Sequence, residues 1–155
     1  MSFDCGTGLE RGLLSEEVEV LLENKNAVIY GGGGSIGGAV ARAFAREGAG
    51  VFLAGRTEVR LEEVANDIRA AGGQVETAVV DALDEEAVDR HADAVVAEAG
   101  SIDISFNLIT HPHTHGIPFH EMRADDFMAP VETAARTTFI TARAAARHMI
   151  PRGSG

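Results

Sequence analysis

Short apolar runs alternate with longer amphipathic stretches along most of this chain. The runs are nearly continuous in apolar residues, which is typical of strands that are covered by helices on both faces. The longer stretches repeat apolar residues at helical spacing, as Leu61, Val64, Ala65 and Ile68 do, and this predicts amphipathic helices. Strands are predicted at 27–30, 50–54, 74–80 and 102–109, and helices at 35–47, 58–71, 84–99 and 126–149. The alternation predicts parallel βαβ units with right-handed crossovers.

The most informative segment joins the first predicted strand to the first predicted helix. Four consecutive glycines, Gly31 to Gly34, follow the strand, and a helical pattern begins at Ser35. Gly32, Gly34 and Gly37 satisfy the spacing G-x-G-x-x-G. Glycines allow a tight turn and a close approach by phosphate oxygens, while the first N–H groups of the helix supply hydrogen-bond donors. The motif is weak alone, but its position between a strand and a helix predicts a site for a dinucleotide pyrophosphate.

Composition narrows the possible partners and the setting. The net charge of −11 argues against binding to nucleic acid or to an anionic membrane surface, because both need basic patches. The single cysteine, Cys5, allows no intramolecular disulfide and favours a cytoplasmic protein. No signal peptide is recognisable, and no apolar stretch reaches the roughly 18 residues of a membrane helix. Residues 1–19 are interpreted as an N-terminal extension and residues 20–155 as one domain.

From about Leu21 onwards, the chain resembles the short-chain dehydrogenase/reductase family. The family's glycine signature is Thr-Gly-x-x-x-Gly-x-Gly, and here Tyr30 stands at the threonine and Ser35 at the middle glycine. Ser35 could cap the helix or donate its hydroxyl to a phosphate. The resemblance implies a doubly wound, Rossmann-like α/β domain with strand order 3-2-1-4. It also implies that the domain lacks the C-terminal strands of a complete family member.

The resemblance extends to the residues that would hold the cofactor. Members that prefer NAD have an acidic residue at the end of the second strand, where this chain has Ala54-Gly55-Arg56. A guanidinium there favours the 2′-phosphate of NADP, although Arg56 could also be a solvated residue at the helix entry. Asp81 matches the aspartate beside the adenine ring, or caps the next helix, for which Asp84 is the better candidate. Asn107 is what remains of the family's Asn-Asn-Ala-Gly motif. The predicted cofactor-binding residues are Gly31, Gly33, Gly34, Ser35, Ile36, Gly37, Arg56, Asp81, Ala82 and Asn107.

No catalytic residue is predicted in this chain. The position of the family's catalytic asparagine falls at Ala134, and Ser154 lies too early to be the catalytic serine. Tyr30 is the one tyrosine and Lys25 the one lysine, so the family's Tyr-x-x-x-Lys pair cannot be formed. The segment 151–155 resembles the loop before the family's fifth strand. The resemblance therefore implies a truncated member that is a poor catalyst alone.

Three functions remain open at this stage. The first is an NADP(H)-dependent oxidoreductase that acts on a carbonyl or alcohol substrate. The second is a catalytically inactive nucleotide-binding or regulatory subunit. The third is a metal-binding module, because His111, His113 and His115 would point the same way in an extended segment. In each case the fourth strand is expected to be a sheet edge, which a second copy or a partner chain would cover.

Overall fold

The structure, a computed structural model, describes residues 20–110 and 116–155. The predicted extension, 1–19, and the histidine tract, 111–115, lie outside the described residues. The strands are β1 (Asn26–Tyr30), β2 (Gly50–Gly55), β3 (Val75–Val79) and β4 (Ile104–Asn107). The helices are α1 (Ser35–Arg46), α2 (Glu58–Ala70), α3 (Glu85–Ala99) and α4 (Ala124–Arg152), with a short 3₁₀ turn at Phe119–Glu121. No helix in these two ranges is both long and apolar enough to cross a bilayer.

All strand pairs are parallel, and their order is β3-β2-β1-β4. The predicted doubly wound sheet and its strand order are therefore confirmed. β4 is shorter than the predicted strand because its partner β1 ends at Tyr30, which lies opposite Asn107. α4 is longer than predicted and ends where Gly153 adopts a left-handed backbone, with φ at 66°.

Alternate residues of β1 enter two hydrophobic cores, one on each face of the sheet. Ile29 packs with Leu61 and Ile68 beneath α1 and α2. Val28 and Tyr30 point to the opposite face, where the core includes residues of α3 and α4. The apolar run of the strand is thus explained by burial on both sides. Packing in the two cores fixes the positions of the strand ends, and therefore the positions of the loops that follow them.

In the part of the chain that the structure describes, β4 is an edge strand, as expected, and no element covers the outer face of α4. β4 pairs with β1 on one side only among the described residues. Phe127, Phe139 and Ile150 of α4 are 54%, 63% and 76% exposed. Arg143, on the flank of α4, ties the helix to α3 by pairing with Glu85 at 2.8 Å. Large exposed apolar side chains along one helix face are typical of an interface.

Candidate cofactor-binding site

The glycine turn directly follows β1 and packs against the backbone at the end of β4. Gly31 has a φ of 83°, and its N–H donates to the carbonyl oxygen of Ala54 at 2.8 Å. A Cβ atom at Gly31 would lie 2.9 Å from the carbonyl oxygen of Leu108. Only glycine fits this position, because it tolerates both the left-handed backbone and the close contact.

The first turn of α1 presents backbone donors that have no acceptor. The N–H groups of Ser35, Ile36 and Gly37 form no hydrogen bond within the described residues, whereas Gly38 donates to the carbonyl of Gly34. Ser35 is not the helix cap, so that interpretation was wrong. Gly34 takes the extended cap conformation and Ser35 becomes the first helical residue. The unpaired donors and the positive end of the helix dipole suit an anion.

A cavity of about 490 Å³ opens at the carboxyl ends of the strands, beside this turn. Six of the ten predicted residues line it: Gly31, Gly33, Gly34, Arg56, Asp81 and Ala82. The other four, Ser35, Ile36, Gly37 and Asn107, are not in its wall. Gly37 is buried under the turn, and a Cβ atom there would press into the backbone of Gly31. The structure thus brings most of the predicted set to one place, and their contact with a cofactor stays a prediction.

The two aspartates after β3 have different roles. Asp84 caps α3 by accepting a hydrogen bond from the N–H of Ala87 at 3.0 Å. Asp81 accepts instead from the N–H of Leu83 at 3.0 Å, which shapes the loop that lines the cavity. The alternative in which Asp81 caps the helix is therefore wrong, and the preference for Asp84 as the cap is confirmed.

Asn107 joins the end of β4 to α4. Its Nδ2 donates to the hydroxyl oxygens of Thr137 and Thr138, at 3.0 and 3.1 Å, and its Oδ1 accepts from the N–H of Ile109. Thr137 itself donates to the carbonyl of Thr133, so its oxygen is free to accept from Asn107. The side chain therefore stabilises the strand that borders the cavity rather than forming its wall.

Tyr30 leaves the cavity open. The residue is 2% exposed, lies in the core between the sheet and the α3–α4 face, and contacts His91 edge-on. Burial, with a smaller contribution from the charge of Asp89, raises the pKa of the Tyr30 phenol above its ordinary value. A phenol in this position is placed for packing, and it is not part of the cavity wall.

Several residues of the cavity wall were not predicted from the sequence. The most significant is Arg60, which lies in the first turn of α2 and lines the cavity together with Arg56. A Cβ atom at Gly33 would lie 2.9 Å from the Cβ of Arg60. The available signal was the position of Arg60, four residues after Arg56 and near the start of a predicted helix. Thr57, Leu61, Leu83, Leu108, Ile109, Thr110, Thr133 and Gly55 complete the wall.

The histidine tract lies outside the described residues. Within 20–110 and 116–155, no cluster of three or more histidine, cysteine or acidic side chains is arranged to hold a metal ion. His111, His113 and His115 therefore keep their status as a sequence-based hypothesis.

The fold and the cavity define the class of an α/β dinucleotide-binding domain, with a glycine turn at the carboxyl end of its first strand. Comparison with known proteins defines the family more closely. The family model described as short chain dehydrogenase matches residues 25–155. The chain belongs to this family. Membership implies a nicotinamide dinucleotide as cofactor, in the NAD or the NADP form.

Relatives with this fold include both enzymes and uncharacterised proteins. An uncharacterised oxidoreductase of Bacillus subtilis is 38% identical over 79% of this chain and 44% of its own length. Gluconate 5-dehydrogenase of Gluconobacter oxydans is 34% identical over 86% of this chain and 52% of its own length. The chain spans about half the length of the curated relatives it matches.

Solved structures give the same result. NAD⁺-bound xylitol dehydrogenase has a TM-score of 0.79 and 30% identity, over 86% of this chain and 51% of that one. A short-chain dehydrogenase/reductase from Mycobacterium marinum has a TM-score of 0.75 and 31% identity, over 88% of this chain and 55% of that one.

Proposed function

We propose that this chain is the cofactor-binding portion of an NADP(H)-dependent oxidoreductase acting on a carbonyl or alcohol substrate. The observation that carries the proposal is the set of unpaired donors at the start of α1. They directly follow the glycine turn, of which Gly31, Gly33 and Gly34 line a cavity together with Arg56. Ser35, Ile36 and Gly37 supply N–H groups for a pyrophosphate, and Gly31 and Gly33 leave room for it. When bound, the nicotinamide would accept or deliver a hydride.

The choice of NADP over NAD rests on the end of β2. The strand ends at Gly55 and is followed by Arg56, so no carboxylate stands where a ribose 2′-hydroxyl would be bound. A guanidinium forms short, charge-assisted hydrogen bonds with a phosphate. NAD⁺-bound xylitol dehydrogenase has a similar structure. The preference for NADP therefore rests on this chain's own residues.

Titration of the purified chain with NADPH and with NADH tests this proposal. NADPH should bind roughly tenfold or more tightly, a difference of about 1.4 kcal/mol or more. Arg56→Met should reduce that difference, and Arg56→Asp should reverse it. Equal affinity of the unchanged chain for both nucleotides would refute the NADP assignment, and lack of affinity for either would refute cofactor binding altogether.

Catalysis by this chain alone is a separate question. Hydride transfer to a carbonyl needs an acid or base within hydrogen-bond reach of its oxygen, and these 155 residues contain no Tyr-x-x-x-Lys. We expect the isolated chain to bind cofactor and to turn over generic carbonyl substrates poorly. The alternative of an inactive nucleotide-binding or regulatory subunit predicts the same binding with no turnover at all.

Two further parts of the proposal concern the setting of the protein. A second copy or a partner chain would cover the β4 edge, because exposed edges and apolar helix faces invite association. The cytoplasmic location is favoured by the single cysteine.

A metal-binding function for the histidine tract is the remaining alternative. It predicts tight binding of Zn²⁺ or Cu²⁺ that is lost when His113 is replaced by alanine.

A further inference from the structure

Arg60 shares the cavity with Arg56, and most other arginines are already paired. In the described ranges, eight arginines form ion pairs with carboxylates. Three arginines form no ion pair within these ranges: Arg46, Arg56 and Arg60. Of these three, Arg56 and Arg60 line the cavity at the glycine turn, whereas Arg46 lies at the far end of α1. Exposed arginines commonly pair with acidic neighbours in so acidic a chain, so two unpaired cations in one wall call for an explanation.

We propose that Arg60 is a second specificity-determining residue, which binds the 2′-phosphate of the cofactor together with Arg56. This inference rests on the proposed NADP preference. Arg56 precedes the cap residue Thr57, and Arg60 is the third residue of α2. Arg56 therefore lies just before the helix and Arg60 in its first turn, and both line the same cavity. A phosphate dianion can accept hydrogen bonds from two guanidinium groups at once.

The position of Arg60 beside Gly33 limits which part of the cofactor it reaches. The Cβ of Arg60 occupies space that a side chain at Gly33 would need, so the Arg60 side chain starts beside the glycine turn. The pyrophosphate has donors in the first turn of α1. The wall formed by β2 and α2 has Arg56 and Arg60, next to the N–H groups of Glu58 and Val59, which form no backbone hydrogen bond within the described residues. The Asp81–Leu83 loop also lines the cavity, and the family resemblance implies that the adenine ring lies beside Asp81. With the pyrophosphate at α1 and the adenine at this loop, the ribose would lie between them, beside the wall formed by Arg56 and Arg60.

The acidic neighbour of the pair does not cancel its charge. Glu58 is the first residue of α2 and lies between the two arginines in sequence. It is absent from the cavity wall and forms no ion pair with either arginine. Glu58 instead suits the positive end of its own helix dipole. The part of the wall at the start of α2 is therefore cationic, whereas Asp81, the acidic residue of the cavity wall, lies on the loop after β3.

The test compares Arg56→Met, Arg60→Met and the control Arg46→Met in binding titrations with NADPH, NADH, adenosine 2′,5′-bisphosphate and 5′-AMP. Arg60→Met should weaken binding of NADPH and of the 2′,5′-bisphosphate by roughly 10- to 100-fold, a range set by hydrogen bonds to charged groups. Binding of NADH and 5′-AMP should stay unchanged. Arg60→Lys should restore part of the affinity, because it keeps the charge and loses the forked geometry. Arg46→Met should behave as the unchanged chain.

The possible failures are distinguishable. Equal weakening of NADPH and NADH by Arg60→Met would assign Arg60 to the pyrophosphate and overturn the inference. No effect of Arg60→Met, with a selective loss in Arg56→Met, would overturn the inference and leave the proposed function standing. No effect of either substitution would refute both. Arg60 is exposed, so unfolding of the variant is not expected, and a thermal melt without nucleotide checks this.

Discussion

The polar groups at the two ends of the sheet differ in whether they have hydrogen-bond partners. At the amino end, the side chain of Asn26 donates to the hydroxyl of Ser101 at 2.8 Å, and its backbone N–H donates to Asp103 at 2.9 Å. Ser101 and Arg152 donate to the same carboxylate. At the carboxyl end, three N–H groups of α1 and two arginines have no partner within the described residues. The amino end forms a closed network, whereas these donors of the carboxyl end are left without a protein partner there.

This contrast identifies the candidate site better than cavity size does. The amino end also has a cavity, of about 630 Å³, which is larger than the one of about 490 Å³ at the carboxyl end. Buried or partly buried donors in folded proteins are nearly always satisfied. The donors at the start of α1, together with Arg56 and Arg60 in the nearby wall, therefore favour the carboxyl end as the ligand site. At the amino end, Asn26 and Ser101, which border the larger volume, already have partners.

The largest expected effect on stability comes from replacing two glycines by alanine, one at each end of the sheet. Gly31 and Gly72 have φ values of 83° and 84°, so alanine is strained equally at both. A Cβ atom at Gly72 meets nothing within 4 Å, whereas at Gly31 it meets the carbonyl of Leu108. Gly72→Ala should lower the free energy of unfolding by about 1–2 kcal/mol. Gly31→Ala should add about 1–3 kcal/mol of overpacking to this.

Urea unfolding of both variants checks this prediction, and NADPH titration extends it. Gly31→Ala should also lose cofactor affinity, because the turn must shift to admit the methyl group. Gly72→Ala should retain the affinity of the unchanged chain. Equal losses of stability would mean that the turn at the carboxyl end is not tightly packed, and the contrast between the two ends would fail.

The second prediction concerns the network at the amino end and its dependence on pH. The side chain of Asp103 is 8% exposed. Burial opposes its ionisation, but hydrogen bonds from Asn26, Ser101 and Arg152 outweigh burial and hold the pKa of this carboxyl below its ordinary value of 3.8. Asp103→Asn should lower the free energy of unfolding by about 1–3 kcal/mol at neutral pH. Cofactor affinity should not change, because the network lies at the opposite end.

The sign of the pH dependence follows from the lowered pKa. The stabilisation by Asp103 is complete above the pKa of the unfolded chain and is lost as the pH falls through the lower value of the folded protein. The difference between the unchanged chain and Asp103→Asn should therefore shrink in acid, below pH 3.8. Asp67→Asn is the control, since Asp67 pairs with Arg42 at 2.6 Å but is 59% exposed. It should cost less than about 1 kcal/mol. A constant difference at all pH values would contradict the assignment.

The sequence predicted the fold well because the relevant signals are local. Apolar runs and helical spacing lie within single elements, and the glycine run lies between two adjacent ones. Gly31 could be recognised as a turn residue from the strand before it and the helix after it. Strand order followed from the family resemblance, and pairing of β1 with both β2 and β4 confirms it.

The sequence predicted the site less completely because its walls come from distant segments. Arg60 meets Gly33 only after α2 has packed against the turn. Asn107 finds its partner Thr137 thirty residues further along the chain. Ser35 was misassigned as a cap because the cap position depends on where the backbone becomes extended, and this occurs at Gly34. Contacts of this kind are set by tertiary packing rather than by local pattern.

The smallest expected effect on stability separates folding from association. Phe139 on the outer face of α4 and Val59 on α2 are 63% and 69% exposed. Replacing either by glutamate should therefore change the free energy of unfolding by only about 0.5 kcal/mol.

Phe139 lies on the uncovered face that accompanies the β4 edge, whereas Val59 lies on the opposite side of the sheet. If a second copy covers that face, Phe139→Glu should shift the chain towards monomer in size-exclusion chromatography with light scattering, and Val59→Glu should not. A charge on this face would have to be buried without a partner in the dimer, which is costly. A monomeric unchanged chain would leave a different partner chain as the occupant of this face, and equal behaviour of the two variants would show that the outer face of α4 does not mediate association.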